Sequence, residues 1–154
     1  MSLPPPRTPH HPGHGRLGAA STAALIAGAA YAHHAFAAEF DGDAPVLLEG
    51  TVTRVEWVNP HTWIHIDVVD EETGSTQPWM VEGGTPNTLL RAGLNRRTLS
   101  PGTELVVRGY QSIDRLCAPA CKANGRDVTF PNGEQMFVGS SGTGAPDDGA
   151  DPTE

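Results

Sequence analysis

Residues 46–58 read VLLEGTVTRVEWV, a run dominated by β-branched and aromatic side chains that reads as a strand. Val46, Leu48, Gly50 and Val52 share one parity, whereas Val55 and Trp57 are apolar on the other. Side chains alternate faces along a strand, so a parity switch inside one strand requires an extra residue, a bulge, here near Thr53-Arg54. A long first strand that bends at Gly50 and again at a bulge suits a small closed barrel. Asn59-Pro60 then stops it and turns the chain.

Thr62–Val69 alternates cleanly, with Ile64, Ile66 and Val68 on one side and Trp63, His65 and Asp67 on the other. After the charged turn Asp70–Ser75, residues 77–82 supply a third strand with Trp79 and Val81 inward, so the two form a hairpin. Gly83-Gly84 breaks it, and Thr85-Pro86 reads as an N-cap followed by proline in the first helical position. One short helix through Leu89 and Leu90 ends near Gly93. Glu104–Ser112 is a fourth strand, and Arg126–Phe130 with Gln135–Val138 forms a last hairpin around Pro131-Asn132-Gly133.

A mainly β fold follows: a small OB-like barrel of five or six strands, with one short helix between strands three and four. An open β-sandwich is the rival, but it does not call for a helix at that position. The 18 Gly and 14 Pro exclude a helical bundle, and 154 residues suit one domain. The expected organisation is a signal peptide over 1–32, an extended segment over 33–45, the barrel over 46–139 and a disordered tail over 140–154.

The leader assignment rests on chemistry. Residues 1–32 carry Arg7 and Arg16 but no acid, then an Ala-rich apolar run from Leu17 to Ala32 that ends Ala30-Tyr31-Ala32. A basic start, a short apolar core and an A-x-A end describe a secretory signal peptide. The run is too short and weak for a membrane anchor, so a periplasmic or secreted protein without a transmembrane anchor is expected. A second A-x-A, Ala35-Phe36-Ala37, is an alternative cleavage site. The net charge of −8 argues against nucleic acid as a partner, because an acidic chain repels phosphates.

Five stretches, HHAFAAEFD (33–41), GTVTRVEWVNPHTWIHIDV (50–68), TPNTLLRAG (85–93), SPGTELVVRGY (100–110) and NGRDVTFPNGEQMFVGSS (124–141), resemble the domain-of-unknown-function family 6152. The resemblance spans nearly all of 33–141. It implies an exported bacterial protein and the extent of the domain, and it brings no activity with it. The chain departs from the family pattern at Cys117–Cys121, where members have a shorter, cysteine-free turn.

Cleavage after Ala32 would make His33 the first residue. Its free amine titrates near about 7.7–8.0. An amine and an imidazole on one residue chelate Cu(II), which favours nitrogen donors in a tetragonal array. His34, His61 and His65 are candidate further ligands, and Met80, on one parity with Glu82, is a candidate soft donor. Against this, a histidine near a cleavage site is often merely tolerated, and cleavage after Ala37 would remove both His33 and His34. Cys117 and Cys121 in an oxidising compartment suggest a disulfide, with a copper-thiolate pair or free thiols as alternatives.

Trp57 and Trp79 follow the inward parity, whereas Trp63 faces outward on strands two and three, the usual ligand face of an OB barrel. Trp63 is therefore either a stacking platform or a side chain covered by the segment Phe36–Phe40 or the helix. Arg91, Arg96 and Arg97 form a basic cluster able to receive an acidic partner or simply to meet solvent. No nucleophile elbow, phosphate-cradling glycine loop or H-E-x-x-H occurs, so no enzyme is expected. The composite expectation is an exported periplasmic binding protein that takes copper or another transition metal through an N-terminal His, or no cofactor at all. The alternative is a non-catalytic assembly protein that meets an exported partner or a small ligand through Trp63 and Met80.

Overall fold

A computed structural model describes Met1 and residues 36–139. A helical turn, α1, covers 36–39. It is followed by β1 (Phe40–Glu56), β2 (Trp63–Val69), β3 (Thr76–Glu82), α2 (Pro86–Arg91), β4 (Glu104–Ser112), β5 (Cys121–Thr129) and β6 (Gln135–Phe137). Apart from Met1, the leader and the tail proposed from the sequence lie outside the described residues.

The six strands form one sheet in the order β3-β2-β1-β4-β5-β6. All neighbouring pairs are antiparallel, and the sheet closes through a parallel pairing of β3 with β5, Trp79–Glu82 against Cys121–Asn124. A ring of β1-β2-β3-β5-β4 results, with α2 bridging β3 and β4: the mainly β, one-helix arrangement the sequence implies. β5 works in two halves. Its first half closes the ring against β3, and its second, Asp127–Thr129, diverges to carry β6.

The length of β1 makes the ring possible. Its C-terminal half pairs with β2 while Pro45–Thr51 pairs with β4, so one strand serves two neighbours. The register against β2 shifts between Val52 and Arg54, which is the bulge read from the parity switch. Gly50 sits where the two pairings overlap, and a Cβ there would come within 2.8 Å of the Asp67 carbonyl. The helix is started as its sequence dictates: Thr85 caps it by accepting from the Thr88 amide, and Pro86 supplies the first turn. Gly93 closes it at φ 94°, a conformation that favours glycine.

Inside the ring, Val52, Ile64, Ile66, Val81, Val107, Ala123 and Val128 meet Leu89 of α2 and Leu94 and Leu99 of the following loop. Trp57 and Trp79 pack half-buried against this cluster. Two strand ends differ from the sequence reading. β1 begins at Phe40 rather than Val46, because Phe36 and Phe40 anchor the chain on Tyr110 of β4. β5 begins at Cys121 rather than Arg126, because its first residues gain a partner only when the distant β3 arrives.

Candidate functional site

Strand alternation sends Ile64, Ile66 and Val81 into the core, which leaves Trp63, His65, Met80 and Glu82 together on the opposite face. Register fixes their pairing: His65 lies opposite Met80, and Trp63 opposite Glu82. The parallel closure then brings β5 alongside, with Asn124 in register with Glu82 and Lys122 with Met80.

Glu82 is the unusual member. Its side chain is only 7% exposed, and Asn124 Nδ2 donates to its Oε1 at 3.3 Å. Burial pushes its carboxyl pKa up, and the neighbouring Glu39 adds to this, while His61, Asn124 and Lys122 pull it back.

His61 arrives from the loop after β1. That loop is pinned to the loop after β3, since Thr62 donates its amide to Gly84 and accepts from Gly83. These two backbone bonds set His61 Nδ1 3.5 Å from Glu82 Oε1. The nitrogen is buried and makes no hydrogen bond, and the hydroxyl of the adjacent Thr62 is in the same condition. A buried imidazole nitrogen thus faces a buried carboxylate within ion-pair distance but without a hydrogen bond, and a buried polar nitrogen normally has one.

His65 differs from the solvent-facing ring the alternation suggested. It is 8% exposed, and its Nε2 is engaged by Glu56 at 2.9 Å. Burial and the nearby Arg54 guanidinium lower its pKa more than Glu56 raises it, so the ring is held towards neutrality. Arg54 shares the same Glu56 oxygen at 3.0 Å. The structure therefore joins His61 to Glu82 and His65 to Glu56. Among the described residues, no three His, Cys, Asp or Glu side chains gather into a group able to hold a metal. His33 and His34 lie outside those residues.

Trp63 and Met80 are both half-buried. Phe36 and Phe40 cluster with Tyr110. Glu39, between them, pairs with Lys122 at 2.9 Å, which ties the end of α1 to β5 beside Asn124. Cys117 and Cys121 are joined by a disulfide, so neither offers a thiolate.

Glu82 was visible in the sequence only as the parity neighbour of Met80. Its partners His61 and Asn124 come from a loop and from a strand more than forty residues away, and no local pattern announces them.

The model of a family of unknown function, DUF6152, matches residues 22–117. No curated protein matches the chain. Among the described residues no helix is long and apolar enough to cross a membrane.

Proposed function

The chain belongs to DUF6152, a family of unknown function, and from that premise we propose a role read from the site alone: a non-catalytic, exported periplasmic protein that binds a transition metal, copper as Cu(II). The observation that carries the reading is the buried Nδ1 of His61, which makes no hydrogen bond and lies 3.5 Å from the buried carboxylate of Glu82. A cation between them would satisfy both groups and offset the cost of burying the charge.

Two donors do not make a copper site, and the remainder would come from the N-terminus. His34 precedes Phe36 by two residues, a reach of about 7 Å of chain. Phe36 is seated on Tyr110, whose register partner is Asn124, the residue that donates to Glu82. The α-amine and imidazole of His33, with His34, would thus be tethered beside His61 and add the nitrogen donors Cu(II) prefers. The same packing favours cleavage after Ala32, because cleavage after Ala37 would discard Phe36 and its contact with Tyr110. Neither His65, held by Glu56, nor the bonded cysteines are needed.

The test is a Cu(II) titration of the metal-free exported protein, with its intact mass measured in parallel. The expected result is a chain starting at His33, one saturable equivalent and a d–d absorption band. His61→Ala and acetylation of the α-amine should each weaken binding tenfold or more. A mature chain starting at Ala38, or no saturable binding, would sink the reading.

A further inference from the structure

The basic cluster after α2 remains unused by the site above. Trp57, Pro86, Leu90, Asn95, Arg96 and Arg97 line an open groove of about 530 Å³. Its floor is apolar: Trp57 rests half-buried against the core, and Leu90 is 53% exposed on the outer side of α2. Its rim is cationic. The Arg96 guanidinium lies over the Trp57 ring, 5.8 Å from its centre, and Arg97 is exposed beside it. Among the described residues neither arginine has a carboxylate within 4.0 Å. Two adjacent unpaired cations on a chain of net charge −8 form a marked local reversal of sign.

We propose that this groove is occupied by the chain's own acidic segment 140–154. Two observations favour that occupant. The first is where the chain leaves the fold. The Gly84 amide donates to Val138, and a Cβ on Gly84 would meet the Gly139 carbonyl at 2.9 Å. Residue 139 therefore sits at the start of α2, two positions from Pro86 on the groove wall. The second is complementarity. Residues 140–154 contain Asp147, Asp148, Asp151 and Glu154 and no Lys or Arg. From Ser140 to Asp147 the chain can extend about 26 Å, whereas the six residues of α2 span only about 9 Å. Asp147 and Asp148 thus reach Arg96 and Arg97 with slack, and Pro146 is delivered to the exposed part of Trp57 and Leu90. A polar segment can settle where charge and one apolar contact meet it.

Amide and indole NMR signals of the full exported chain test this. Asp147→Asn with Asp148→Asn should shift the signals of the Trp57 indole, Leu90, Asn95, Arg96 and Arg97. Raising the salt to about 0.5 M, where screening is nearly complete beyond a few ångströms, should move the same signals the same way. Arg96→Glu with Arg97→Glu should also release the segment, and combining it with Asp147→Lys and Asp148→Lys should restore the original pattern. Groove signals indifferent to the tail substitutions would overturn the proposal, whether or not the arginine variant folds. So would shifts that depend on protein concentration, since these would report a second copy in the groove.

Discussion

At the scale of single residues, the informative group is the carboxylate of Glu82. It is buried, its pKa is raised by that burial, and Asn124 is its only hydrogen-bonding side chain among the described contacts. A buried charge without full compensation weakens a fold. Glu82→Gln should therefore leave the metal-free protein as stable as before, or more stable by about 1 kcal/mol, in a urea melt at neutral pH. The same variant should lose copper affinity if the proposed site is right, so stability and binding would move in opposite directions. His65 makes the contrasting case. Its folded pKa lies below the ordinary value near 6.5, so the unfolded chain takes up a proton first. Stability should be constant above about pH 6.5 and fall as pH drops below it, and melts across pH 5–7.5 (roughly the histidine window) should show less of that fall for His65→Gln. The alternation correctly put His65 opposite the core. It did not show that Glu56 and Arg54, brought in across the bulge, would cover and pair with that face.

At the scale of strands and turns, legibility followed locality. The bulge at Val52/Arg54, the Thr85-Pro86 helix start and the turn at Gly133 each depend on a few adjacent residues, and each was readable there. Residues 121–124, Cys-Lys-Ala-Asn, carry no alternating pattern, and they are a strand only because β3 lies alongside. Two predictions belong here. Gly109 stands at the register shift between β4 and β5, and a Cβ on it would collide with the Asn124 carbonyl. Backbone cannot yield as a side chain tip does, so Gly109→Ala should cost about 3 kcal/mol or more, read from the denaturation midpoint. Asp127 ties three strands together, receiving three bonds from Arg108 of β4, at 2.9, 3.2 and 2.8 Å, and one from Gln135 of β6. It is 6% exposed, so Asp127→Ala removes a buried acceptor that joins two neighbouring strands and should lose about 1–3 kcal/mol.

At the scale of the molecule, the disulfide matters less than the ring. Cys117–Cys121 closes a loop with a sequence separation of 4, and so short a loop limits the unfolded chain by only about 2 kcal/mol. The double variant Cys117→Ser, Cys121→Ser should remain folded, with near-ultraviolet circular dichroism close to that of the parent. The ring, by contrast, imposes an order of assembly. A chain emerging amino end first can pair β1 with β2 and β2 with β3 at once. The other flank of β1 waits for residues beyond 103, and the seam between β3 and β5 waits for residues 121–124. Such distant pairings are slow to form and come last. Until residues 121–124 are available the first hairpins have nothing to shut against, so a chain cut short of them stays an open sheet, and their arrival is what shuts it.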